Sequence, residues 1–141
     1  MASDGVRLNA LEEQVRYLVT LPKAPGLVPL TTPLTSTSYD GNDTVAVGTV
    51  TIDTSAVFGA PVGIKAALVK VRCGWAAASG SSNLQLRPVG SGSAIAFLYA
   101  QTTFFQSMTV VVPCDANGDF DVVVANADAL NVTIEIWGYW R

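Results

Sequence analysis

Four closely spaced prolines, Pro22, Pro25, Pro29 and Pro33, divide this chain into two parts that fold by different rules. Proline fixes φ and lacks a backbone N–H, so this stretch is neither helix interior nor central strand. Ahead of it, residues 4–20 place Leu8, Leu11, Val15 and Leu18 at the a, d, a and d positions of a coiled-coil heptad. Asp4 and Asn9 are the candidate caps, and Glu12 and Glu13 lie in the early turns, where the helix dipole favours negative charge. So short a helix is marginal alone in water. The seam makes sense when several identical chains bring their helices together.

Behind the prolines, runs rich in Val, Thr, Ile and aromatics alternate with Gly, Asn, Asp and Ser clusters. The spacing predicts strands over 44–52, 67–75, 84–87, 95–100, 104–112 and 130–140. In the second of these, Ala67, Val69, Val71, Cys73 and Trp75 share one face while Lys70 and Arg72 occupy the other, which is the period of a strand with one buried side. Across 110–124, two valine-rich runs flank Asp115-Ala116-Asn117-Gly118-Asp119. Asn-Gly between strands favours a tight turn with positive φ, so this segment is expected to be a hairpin. Roughly seven or eight short strands predict a jelly-roll-like antiparallel β-sandwich. The expected organisation is an oligomerisation or anchor helix over 1–21, a Pro-rich extended strap over 22–43 lying on the body or a neighbouring subunit, and the sandwich over 44–141.

Composition narrows the function. Half of the 141 residues are apolar and only 13% are charged, against about a quarter in ordinary domains; surface buried between subunits accounts for such a deficit. The other reading of the deficit is a rigid β protein coated with Thr and Ser, whose faces are polar but uncharged. With 8 basic and 11 acidic residues the net charge is −3 and no basic cluster forms, which argues against nucleic acid as a partner. No apolar run approaches the ~18–20 residues of a membrane span. The start MASDGVRLNA has neither the basic beginning nor the apolar core of a signal peptide, so synthesis in the cytoplasm is expected.

Candidate chemistry is sparse. The chain contains no histidine, and Cys73 and Cys114 read more readily as small buried hydrophobes than as a disulfide or metal ligands. The acidic turn from Asp115 fails as a calcium loop, because Phe120 and Asn126 stand where an EF-hand needs Gly and Glu. Asp40, Asp43 and Asp53 sit in turn-like sequence, and nothing singles out two of them as a hydrolytic carboxylate pair. The Gly90-Ser91-Gly92 stretch lacks the Lys and Ser/Thr of a phosphate-binding loop. No enzyme, cofactor or metal site is expected. In the last strand, period-two alternation puts Val132, Ile134, Ile136, Gly138 and Trp140 on one face and Thr133, Glu135, Trp137 and Tyr139 on the other. Glu135 marks the second face as the outer one, so Trp137 and Tyr139 are expected to meet a neighbouring subunit or a glycan.

Three stretches carry a family likeness: Gly59–Leu68 (GAPVGIKAAL), Val112–Asp119 (VPCDANGD) and Ile134–Tyr139 (IEIWGY). Together they resemble the terminal β domains of tailed-bacteriophage fibre-type proteins, over about residues 44–141. The resemblance implies a homotrimeric β-sandwich tip on a virion appendage, touching host surface polysaccharide or protein, with no catalytic residues. The number three comes from this likeness, and Leu8, Leu11, Val15 and Leu18 would then register three chains. Fibres usually carry a long shaft, which this chain lacks. The expectation is therefore a short tail or baseplate fibre, attached to other virion proteins through its N-terminal segment. The alternative is a capsid decoration (cement) protein at threefold axes.

Overall fold

Alternation of apolar and polar residues builds two antiparallel sheets that share one core. The computed structural model describes residues 26–74, 82–100, 104–126 and 128–141. The heptad positions Leu8, Leu11, Val15 and Leu18, the start of the strap and Trp75 lie outside them. The strands are β1 (Leu27–Leu34), β2 (Asp40–Val45), β3 (Gly48–Asp53), β4 (Ala66–Gly74), β5 (Asn83–Pro88), β6 (Ala96–Tyr99), β7 (Gln106–Pro113), β8 (Asp119–Ala125) and β9 (Leu130–Trp140), with a short helix α1 (Thr54–Phe58) after β3. The first sheet has the order β1-β9-β4-β7, and β2 also pairs with β9; the second has the order β3-β8-β5-β6. Every pairing is antiparallel. No helix among the described residues is long and apolar enough to cross a membrane.

The core lies between the sheets. Ala67, Val69, Val71 and Cys73 of β4 are fully buried, as the alternation over 67–75 predicts, and they share the core with Val132, Ile134 and Ile136 of β9. Ile52, Leu84, Leu86, Phe120, Val122 and Val124 close it from the second sheet. Burying such side chains contributes about 1.5–3 kcal/mol each relative to exposure.

Three expectations are corrected here. The strand predicted over 44–52 is two strands: β2 ends at Val45 in the first sheet and β3 begins at Gly48 in the second. Gly48, with φ of 136°, sits at the changeover, in a backbone region that side chains disfavour. The segment over 110–124 is not a hairpin, because β7 pairs with β4 and β8 with β3 and β5. Its turn is real: Asp115 Oδ1 accepts the N–H of Asn117 and of Asp119, and Gly118 has φ of 83°. Local turn chemistry fixes the bend, while the burial demands of each strand send them to different sheets. Third, the separate strap over 22–43 gives way, from Leu27 onward, to strands β1 and β2 of the sandwich itself. Pro29 and Pro33 are tolerated because β1 is an edge strand. Its register against β9 shifts between Pro29 and Leu34, while Val28, Leu30 and Leu34 pack on the core.

Helix α1 was not foreshadowed by periodicity, and its ends explain it. Asp53 accepts the N–H groups of Ser55 and Ala56 at the N-terminus, and Gly59 closes the C-terminus at φ of 75°. Thr54 Oγ1 donates to the carbonyl of Gly118 at 2.6 Å in the interior. This ties α1 to the β7–β8 turn.

Candidate binding faces

The register of the second sheet lays out its outer face in rungs. One rung runs Thr51, Asp121, Arg87; the next Thr49, Val123, Gln85, Phe97; the next Ala125, Asn83, Tyr99. Phe97 and Tyr99 are 44% and 49% exposed, and their rings meet edge-to-face at 5.0 Å, a favourable quadrupole geometry. Beside them runs a ladder of polar side chains on β5. Gln85 Nε2 donates to Asn83 Oδ1 at 2.8 Å, and Arg87 donates from Nε to Gln85 Oε1 at 2.9 Å and from its terminal nitrogen to the same oxygen. Asn83 and Gln85 are 6% and 8% exposed, so the aromatic pair is flanked by amides already held in place. Next to Arg87, Asp121 accepts Thr51 Oγ1 at 2.6 Å and the Gly90 N–H at 3.1 Å. The exposed aromatic faces can stack on a ring, while the buried, mutually bonded amides beside them brace the platform.

The sequence alone did not bring Phe97 and Tyr99 forward. In Ala96-Phe97-Leu98-Tyr99 both faces are apolar, so the run shows no polar–apolar alternation. The available signal was size: Ala96 and Leu98 face inward and the larger aromatics outward.

The outer face of the first sheet is split. At one end, Arg72 stands between Thr133 and Ser107, and Lys70 between Glu135 and Thr109. Arg72 also lies 4.2 Å from the centre of the Phe105 ring. The other end is apolar. Leu68 is flanked by Val111 and Gly138, and Ala66 by Pro113 and Trp140, with Leu27 of β1 opposite Trp140.

This end carries a correction to the two aromatics expected to face outward together. The β4–β9 register slips between Leu68 and Val69, so Ile136 opposes Val69 while Gly138 opposes Leu68. Trp137 is the extra residue of a β-bulge. Beyond the bulge the parity reverses: Tyr139 opposes Ala67, turns inward and is 8% exposed, while Trp140 joins Trp137 on the outside. Trp137 is half-buried, and its indole nitrogen has no acceptor among the described residues. Gly138 is required here, because a Cβ on it would lie 2.8 Å from Leu27 Cδ1 and 3.0 Å from the Val28 carbonyl oxygen.

The remaining candidates stay apart. Burial pushes the Cys73 thiol up to about 11, and burial with Asp115 and Asp119 nearby pushes Cys114 up to about 12. Both cysteines are free, and such thiols are poor nucleophiles and ligands. Among the described residues, no group of three or more Cys, Asp or Glu is arranged to hold a metal ion. Comparison of the chain with protein-family models, with curated proteins and with solved structures found no match.

Proposed function

We propose that this chain is a structural protein of a bacteriophage virion, a short trimeric tail or baseplate fibre whose sandwich binds a host-surface glycan. The order of strands from β2 to β9, crossing repeatedly between two sheets, supports reading the sandwich as a jelly roll. The observation that carries the binding role is the exposed Phe97–Tyr99 pair beside the Asn83–Gln85–Arg87 ladder. This face replaces Trp137 and Tyr139 as the glycan contact, since Tyr139 belongs to the core. The work is binding: exposed ring faces stack on the apolar side of a sugar, and the buried polar ladder beside them keeps the platform fixed, so little freedom is lost on binding.

Two measurements test the proposal. Gold-labelled antibody against the chain, viewed on intact virions by electron microscopy, should mark the tail end. Label over the head would replace this reading with that of a decoration protein, and unlabelled particles would end both. Binding of the full chain to host-surface polysaccharide should weaken at least tenfold in Phe97→Ala/Tyr99→Ala, an expected loss of about 1.4 kcal/mol or more. Unchanged binding would remove this face from the proposal.

A further inference from the structure

We infer that the apolar end of the first sheet's outer face, formed by Leu27, Leu68, Val111, Trp137 and Trp140, is the surface on which a second copy of this chain packs. The inference rests on the reading of the chain as a self-assembling protein, and it names the surface that does the assembling between sandwiches.

The patch is contiguous by register, spanning β7, β4, β9 and β1 in neighbouring rungs. Leu27 and Val111 are 42% and 45% exposed, and both tryptophans are half-buried. Clusters of this kind mark interaction surfaces more often than scattered apolar residues do, and Trp is enriched where binding energy concentrates. The bulge is what creates it. Without the extra residue, β9 would present one tryptophan outward at this end; with it, Trp137 and Trp140 flank the gap left by Gly138, which Leu27 fills.

The position of the chain's beginning identifies the occupant. Leu27 pairs with Trp140, so the chain enters the sandwich beside this patch, at the end where β9 finishes, after 26 preceding residues. Those residues carry Leu8, Leu11, Val15 and Leu18 at heptad spacing, a seam that needs the helix of another copy. Copies joined through that seam would be tethered close to their patches, because only eight residues separate Leu18 from Leu27. The rest of the face is charged or hydroxylated, with Lys70, Arg72, Glu135, Thr109 and Ser107, which confines the dry contact to the end where the chain enters the sandwich.

The test uses the full chain. Light scattering coupled to gel filtration should show an oligomer whose dissociation constant rises at least tenfold in Leu27→Glu/Val111→Glu. Both positions are exposed in the single chain, so the circular dichroism and melting of the separated variant should show a folded sandwich. An oligomer unchanged by the double substitution overturns the patch while leaving self-assembly through the helix intact. A wild-type chain that stays monomeric at micromolar concentration overturns both. As a second readout independent of stability, a photo-cross-linking residue at position 111 should join two copies, with adducts on residues of this face. Adducts confined to Phe97, Tyr99 and their neighbours would overturn the assignment.

Discussion

Both sheets turn one face to the core and one away from it, yet they treat the outward one differently. On the second sheet the outward positions of β5 are Asn83, Gln85 and Arg87, which hydrogen-bond to one another, with Tyr99 and Phe97 opposite the first two on β6. On the first sheet the corresponding central positions of β4 run from Arg72 and Lys70 to Leu68 and Ala66, so polarity is lost along the strand. In the proposed function, the first arrangement braces an exposed aromatic platform for a ligand. The second leaves the apolar surface on which we infer that another copy packs. Neighbours decide the difference: amides are retained where partners hold them, because an unpaired buried polar group costs ~1–3 kcal/mol. Apolar residues collect where the backbone of β9 bulges.

The largest effect expected from this contrast comes from deleting single residues of β9. Glu135 occupies a regular rung opposite Lys70, and its removal forces Trp137 toward the position of Ile136 or shifts Ile134 out of the core. We expect loss of the cooperative fold, a penalty beyond about 4 kcal/mol. Trp137, two residues on, is the surplus residue of the bulge, so deleting it leaves every flanking pair in register. That variant should fold at a cost of about 1–2 kcal/mol, with Tyr139 still buried. Urea titration of both deletions checks this. Equal destabilisation would mean that the bulge is structurally obligatory and that the apolar face is only its by-product.

A second comparison takes one outward residue from each sheet. Gln85→Leu removes the shared acceptor of two Arg87 donors, at a cost of about 1–3 kcal/mol despite the added apolar side chain. Lys70→Ala, on the exposed outward side of β4, should change stability by less than about 0.5 kcal/mol. Chemical denaturation of the pair measures the asymmetry. If the two cost the same, the β5 ladder is decoration and not a preorganised surface.

How much of this the sequence disclosed follows from what its patterns encode. Period-two alternation identified β4 and its buried set residue by residue, because one side is apolar and the other carries Lys70 and Arg72. It also located β9, but not the reversal at Trp137, since a bulge adds a residue without any signal in polarity. Asn117-Gly118 correctly marked a bend and wrongly implied that β7 and β8 pair, because turn chemistry constrains four or five residues and leaves the choice of sheet to tertiary burial. The prolines of the expected strap spoke against a central strand, and the two that are described, Pro29 and Pro33, lie in an edge strand, with which proline is compatible. Phe97 and Tyr99 were hidden by a run that is apolar on both faces.

The smallest effect lies at the turn that joins the two sheets. Desolvation raises the Asp119 carboxyl above the ordinary aspartate value, and Asp115, Asp53 and Asp121 raise it further; its Oδ1 is buried with no hydrogen-bond partner among the described residues. A carboxyl raised in the folded state contributes stability that is complete below its unfolded value and is lost as pH rises through the folded one. Asp119→Asn removes that loss. The variant should melt on the order of 1 °C higher than wild type at pH 7, and the advantage should disappear below about pH 4, where the wild-type carboxyl is protonated in both states. Asp53 behaves in the opposite sense. Ser55 and the Ala56 N–H hold its carboxyl low, so its contribution is present above the unfolded value and is lost as pH falls through the folded one. Melting curves of Asp119→Asn and Asp53→Ala from pH 3 to pH 8 should therefore diverge from wild type in opposite directions at neutral pH. Divergence in the same direction would mean that like-charge repulsion across the cluster outweighs the cap that Asp53 supplies to α1.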